Sequence, residues 1–201
     1  MRILLGLFLF PALLTAQQVP VKEHFLANGM KVLLVERHDA PSISGGWVAR
    51  VGSVNERPGI TGIAHLFEHM MFKGTPTLGT KDYKKDLEIM AEQERVRDLM
   101  RAEDRKMRVM WRRGEITDLF DPEQKTKRWR VLNDEFKKLV DAHRKVIVKN
   151  EFDRIYTSNG GSQMNAYTTY DHTAYFITVP SNKLELFMWM ESGRLLEPVF
   201  R

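Results

Sequence analysis

Val51–Thr75 reads VGSVNERPGITGIAHLFEHMMFKGT. Arg57–Gly62, RPGITG, is a loop by its proline and glycines, and a helix is expected from Ile63 to Phe72, stopped at Gly74. On a helix, residues four apart lie one turn above each other, so His65 and His69 share a face. Their imidazole nitrogens reach one point about 2 Å from each, the zinc–nitrogen distance. Glu68, three residues after His65, borders the same face, within reach of an activated water as its general base. The order His-x-x-Glu-His inverts the HExxH zinc motif. Two readings stand at this point: a zinc-ligating pair with its base, or two histidines packed or at the surface.

Outward from this helix the chain is β-like. Val21–Glu36 reads as a hairpin, VKEHFL and MKVLLVE around ANG, with Asn28-Gly29 at the turn. SISGGWVARVGSVNE, from Ser42, reads as a further strand in which Gly45 and Gly46 permit a bulge or a close approach. Beyond the helical middle of the chain, Asn150–Pro180 is read as a return to β structure, with SQMNAYTTY and HTAYFITVP alternating and rich in aromatic and β-branched residues. A helix follows Pro180, capped by Ser181 or Asn182 and ended by Pro198.

From about Lys81 the residues are strong helix formers. Two helices are expected around a turn containing Gly114 and Pro122, with Leu87, Met90, Leu99, Met100, Met107 and Met110 on one packed face and Trp129, Leu132, Phe136, Leu139 and Val140 on the other. Interhelix packing accounts for this stripe. The fold class expected is α+β: a mixed or antiparallel sheet with packed helices, plus an inserted antiparallel helical hairpin at about 84–148. The net charge is +5, and between Lys81 and Asn150 there are 20 Lys and Arg against 15 Asp and Glu, the remainder having 11 of each. Both signs interleave and no basic run alternates with aromatics, so a solvated helical face is read there and no nucleic-acid partner is expected.

Residues 1–16, MRILLGLFLFPALLTA, read as a bacterial-type signal peptide: Arg2, an apolar run from Ile3 to Leu14, and Thr15-Ala16 before the cut. The run is shorter than the ~20 residues that span a bilayer, so no stable membrane span is expected after cleavage and the mature chain is periplasmic or secreted. Leu14 is a poor fit to a small-residue cleavage site, and an uncleaved anchor is the alternative. With no cysteine in the chain, disulfides, thiol catalysis and Cys-ligated zinc are excluded.

Four blocks carry a resemblance. Val51–Thr75, Asn159–Pro180 (NGGSQMNAYTTYDHTAYFITVP), Leu184–Phe200 (LELFMWMESGRLLEPVF) and Phe25–Glu36 (FLANGMKVLLVE) resemble the pitrilysin, or insulinase-type, zinc metallopeptidases. The resemblance implies a zinc endopeptidase that hydrolyses peptides with a zinc-activated water. His65 and His69 would be ligands of Zn2+ and Glu68 the catalytic base. Asn165, Ala166 and Tyr167 would lie on an edge strand that pairs with an extended peptide or small-protein substrate, main-chain hydrogen bonds giving affinity; a plain structural strand is the alternative for that segment.

Two departures from the family pattern stand out. The helical hairpin lengthens the path from the zinc helix to the Gly-Gly-Ser strand by about 55–65 residues; it could shield the cleft, contact a partner or be inert. The family's third ligand is a glutamate on the helix after LLEPVF, and Glu191 and Glu197 match the preceding segment, so neither is taken as a ligand. Residues 17–201 are therefore expected to be a peptidase N-terminal domain incomplete at its C-terminus, inactive alone and completed by a C-terminal half or a homologous subunit. The alternatives are a non-catalytic partner subunit and a peptide-binding module. His24, His38, His143 and His172 are read as surface or structural, and Ser162, Asp171 and His172 crowd into one hairpin without a nucleophile elbow.

Overall fold

The structure is a computed structural model that describes residues 19–201; the expected leader lies outside the described residues. The chain divides into two compact units at Pro41/Ser42. In the first, β1 (Val21–Phe25) and β2 (Lys31–Val35) pair antiparallel, Val21 opposite Val35 and Phe25 opposite Lys31. Asn28 and Gly29 make the turn as expected. Gly29 takes φ +84°, which its missing Cβ allows, and the Asn28 side chain accepts the Met30 amide at 3.0 Å.

The second unit is built on a three-stranded antiparallel sheet in the order β3-β5-β4, with β3 at Ser42–Ala49, β4 at Ser162–Thr168 and β5 at Thr173–Pro180. Both sheets are antiparallel throughout. β5 is the central strand, and Tyr175, Ile177 and Val179 are buried on it. β3 runs against it without a bulge, from Ser42 opposite Pro180 to Ala49 opposite Thr173. Of the two roles open to Gly45 and Gly46, close approach is the one realised: a Cβ on Gly45 would lie 2.6 Å from the Phe187 ring, and one on Gly46 2.4 Å from the Tyr175 carbonyl oxygen. The irregularity falls instead in β4, between Ser162 and Asn165, where Gln163 has φ +55°.

Among the described residues there are five α-helices, α1 (Ile63–Met70), α2 (Tyr83–Arg112), α3 (Lys127–Val146), α4 (Glu151–Ser158) and α5 (Leu184–Leu196), of which α1, α4 and α5 lie against this sheet. α4 corrects the β reading of Asn150–Gly161. Phe152, Ile155 and Tyr156 stand at i, i+3 and i+4, which is helical spacing, and Phe152 and Tyr156 are fully buried in the core with Leu78, Ile177, Val179, Phe187 and Met190. Gly160, at φ +82°, and the Gly161 amide, donating to the Tyr156 carbonyl at 2.8 Å, end the helix. α1 stops at Met70, one half-turn short of the expected end. α5 has no side-chain cap; a 3-10 turn at Ser181–Lys183 leads into it.

α2 and α3 form the expected antiparallel hairpin, and of the residues expected on the packed face of α2, Met107 is buried and Met90, Leu99, Met100 and Met110 are half-buried. The buried residues of α2 are Asp86, Ile89, Val96, Glu103 and Met107, while Leu87 is exposed. Two carboxylates occupy the seam and are satisfied within it. Glu103 accepts from Lys106 at 2.6 Å and from Thr126 at 3.0 Å, and Asp86 meets His143 Nε2 at 2.5 Å. His143 is thus structural, as read from sequence.

A single buried carboxylate ties three side chains together. Glu191 of α5 accepts from Trp47 Nε1 of β3 at 2.7 Å, from the Tyr156 hydroxyl of α4 at 2.8 Å, and from Arg194. Replacing Glu191 with alanine leaves Arg194 charged, buried and without its partner, so the unfolding free energy should fall by about 3–5 kcal/mol in urea denaturation. A loss below about 1 kcal/mol would contradict this account.

Candidate metal centre

α1 is positioned from both ends. Gly62, at φ +91°, precedes it and offers no capping side chain. Glu56 does the work from six residues back, its two carboxylate oxygens accepting the amides of Gly62 at 2.8 Å and Ala64 at 2.9 Å. The amides of Ala64 and Gly62 hold the Glu56 carboxyl below the usual carboxylate range. Past the helix, Phe72 packs on Phe152 and Tyr175, ring centroids 5.9 Å away in each case.

The helix turns Glu68 inward and leaves His65 and His69 exposed. Nε2 of His65 and Nε2 of His69 lie 3.1 Å apart. Two zinc–nitrogen bonds of about 2.05 Å meeting at about 100–110° have ends about 3.1–3.4 Å apart, so the pair fits a shared zinc ion. Among the described residues no third His, Asp or Glu joins them in a cluster able to hold a metal. Glu191 is consumed by its buried network, and Glu197 is exposed at the end of α5.

Glu68 is 6 % exposed. Thr168, the last residue of β4, donates its hydroxyl to Glu68 Oε2 at 2.5 Å. This contact spans 100 residues of sequence and links the histidine helix to the edge strand. An open cleft of about 740 Å3 lies between them, with His65, Glu68, Ala166, Tyr167 and Thr168 on its walls. A smaller hollow of about 330 Å3 on the other flank of α1, lined by Trp47, Val51, Ile63, Phe67 and Tyr175 among others, is almost wholly apolar. The Tyr175 hydroxyl there is pushed up to about 12, chiefly by burial, and stays protonated at neutral pH.

Of the residues singled out from sequence, His65, Glu68, Ala166 and Tyr167 face the cleft, and His69 joins through His65. Asn165 is on the same edge strand but turns back to accept the Ala166 amide at 2.9 Å. Ser162 and His172 stand at opposite ends of the β4–β5 hairpin, and His172 Nδ1 pairs with Asp171 and Thr169, which removes any triad. Sequence reading missed Glu56 and Thr168. Thr168 had one faint signal: it alternates with Ala166, so both fall on the same face of β4.

Residues 31–95 match the sequence model of the insulinase family, peptidase family M16. An uncharacterized zinc protease of Rickettsia bellii is 39% identical over 72 residues, covering 34% of this chain and 18% of that protein. Human insulin-degrading enzyme is 41% identical over 63 residues, covering 31% of this chain and 6% of the enzyme. Among solved structures, a protease from Helicobacter pylori (21% identity, TM-score 0.53) and pitrilysin (19% identity, TM-score 0.50) each superpose on 92% of this chain, which covers 27% and 12% of them. At that identity the likeness concerns the fold. Fold, helix and histidine pair together define a zinc-protease-like domain. Residues 31–95 carry the likeness to the insulinase (M16) family. The chain spans less than a fifth of the curated relatives named here.

Two outcomes follow for this site. Because the folded Glu56 carboxyl titrates below its unfolded value, its hold on α1 is present above the ordinary carboxylate range near pH 4.3. It is lost as pH falls through the lower, folded value. Hydrogen exchange at the Gly62 and Ala64 amides should therefore accelerate on acidification in the native protein, and Glu56→Gln should flatten that acid step. Thr168→Val leaves the buried Glu68 carboxylate without its donor, lowering stability by about 1–3 kcal/mol, whereas Thr168→Ser restores it; equal effects of Val and Ser in denaturant titrations would refute the role of the hydroxyl.

Proposed function

We propose that this chain is the metal-bearing N-terminal part of an exported zinc endopeptidase. The observation that carries the reading is the convergence of three groups on one cleft: the His65–His69 pair at 3.1 Å, the buried Glu68 beside it, and the edge strand β4 that holds Glu68 through Thr168. His65 and His69 would hold the ion. A bound zinc supplies Lewis acidity that brings the pKa of water to about 7. Glu68, fixed by one oxygen to Thr168, keeps its other oxygen for the proton of the attacking water and passes it to the leaving amine. Among the described residues β4 has β5 on one side only, so its other edge is suited to an extended peptide, with Ala166 and Tyr167 lining the cleft next to it. Asn165 shields the Ala166 amide in the absence of such a peptide, which is one way that an exposed edge is kept from pairing with other chains.

A catalytic zinc takes three protein ligands and an open position, so a carboxylate from another segment or subunit would complete the set. The 201-residue chain alone is proposed to bind zinc weakly and to cleave peptides little or not at all. The periplasm or cell exterior is proposed as its site of action, from the leader-like residues 1–16. A non-catalytic subunit is the weaker reading because the His-x-x-Glu-His residues are all present.

Zinc titration of the chain by calorimetry should show one site, lost in His65→Ala and in His69→Ala and kept in Glu68→Gln. In protein completed by the third ligand, Glu68→Gln should lower peptide hydrolysis by about 10²–10⁴-fold with zinc retained. Undiminished hydrolysis by that variant would sink the proposal, and so would zinc uptake indifferent to both histidines.

A further inference from the structure

The helical hairpin is not consumed by the site. α2 has 30 residues and is therefore about 45 Å long at 1.5 Å per residue. Its beginning is fastened beside α1 and its end is not. At the fastened end, the Thr80–Ile147 bridge and the Lys81 and Val148 amides, bonded to Val146 and Gly79, join the two helices to the chain following α1. At the far end a loop joins α2 to α3 and forms the tip of the hairpin.

The charge of the whole chain is concentrated at that tip. Between Arg105 and Arg130 there are nine Lys and Arg against four Asp and Glu, an excess of five that equals the net charge of the chain, +5. Lys106, Arg113 and Arg128 have acidic partners. Among the described residues, Arg105, Arg108, Arg112, Lys127 and Arg130 are exposed and make no ion pair. Phe120 stands in the middle of this basic field, 87% exposed, and Trp111 is 49% exposed.

The loop that presents Phe120 is well organised. Gln124 accepts the amides of Thr117 and Asp118 at 2.7 and 3.1 Å, Asp118 accepts the Phe120 amide at 2.7 Å, and Lys125 donates to the Leu119 carbonyl. Ile116 is buried beneath it. The loop's polar groups are thus satisfied locally, and the ring of Phe120 is held out in water at a cost that nothing in the fold repays.

From these observations we infer that the tip of the hairpin docks on a membrane surface rich in anionic phospholipid. Unpaired cations gather at the negative headgroups, each near such a surface strengthening binding by about fivefold. Phe120 and Trp111 enter the boundary between headgroups and acyl chains, where aromatic side chains are favoured. A hairpin tip with one projecting ring among unpaired cations fits a soft, planar layer. A nucleic acid would instead call for an element shaped to a groove or several stacking rings in a row. No helix of the described residues is long and apolar enough to span a bilayer, so the contact would be peripheral and reversible.

The test is co-sedimentation of the mature chain, residues 17–201, with vesicles of phosphatidylcholine and phosphatidylglycerol in equal parts, against vesicles of phosphatidylcholine alone. Binding is expected to the anionic vesicles only and to weaken as salt is raised. Arg108→Ala with Arg112→Ala should lower partitioning about thirtyfold, and Phe120→Ser about tenfold. All three positions are exposed, so circular dichroism and the melting temperature should not change. The inference is overturned if the chain ignores anionic vesicles, if neither variant weakens binding, or if a duplex or single-stranded oligonucleotide displaces the vesicles completely.

Discussion

The buried carboxylate of Glu191 is the constraint on which the second unit depends. It takes hydrogen bonds from β3, α4 and its own helix through Trp47, Tyr156 and Arg194, so sheet and helices cannot shift independently. Taking a carboxylate and a guanidinium out of water is costly, and the pair is stabilised by what surrounds it. Arg194 is 2% exposed and lies against four rings, those of Tyr175, Phe152, Phe72 and Trp47, at 4.7–5.3 Å from their centroids. Its Nη1 has no hydrogen-bond partner, and the ring faces supply the compensating attraction. Trp47 and Tyr175 stack at 4.1 Å, closing the cage. Burial and the nearby Glu191 drive the Tyr156 hydroxyl well above its ordinary value, so it remains a donor at neutral pH.

This network reaches the histidine helix through Phe72, which packs on both Tyr175 and Phe152. A second buried ionic group secures the loop that follows. Arg201 donates Nε to Asp86 at 2.5 Å, and its remaining nitrogens to the carbonyls of Lys73, Thr75 and Leu78. Asp86 also holds His143. One guanidinium therefore joins the chain leaving α1 to both helices of the hairpin. With Glu56 at the other end and Thr168 at the side, α1 is held on three sides, so His65, Glu68 and His69 are presented from a fixed helix.

Local patterns were legible in the sequence, and long-range polar contacts were not. The spacing His65-x-x-Glu68-His69, the Asn28-Gly29 turn and the alternation in Ser162–Pro180 each report a neighbour one or two turns or pleats away. Asn150–Gly161 was misread because its flanks are β-like, although Phe152, Ile155 and Tyr156 already had helical spacing. The packed face of α2 was read incompletely for a different reason: Asp86 and Glu103 sit in the seam, and a hydrophobic pattern passes over buried carboxylates. Glu56 and Thr168 carry no local mark of their tasks. Their partners are fixed by the tertiary fold, which brings Thr168 to Glu68 across 100 residues.

The two ends of the α2–α3 hairpin differ in the same physical terms. At the root, charges are buried and paired: Asp86 is fully enclosed, and the side chain of Arg201 is 2% exposed. Buried pairs of this kind are weakly screened by salt and fix geometry. At the tip, cations are exposed and unpaired, which adds little to folding but leaves a long-range field. A chain under selection for stability alone has no reason to place its entire charge excess there around an exposed phenylalanine. The root ties the hairpin to the chain leaving α1, so whatever holds the tip also holds the histidine helix at the far end of a stiff arm of about 45 Å.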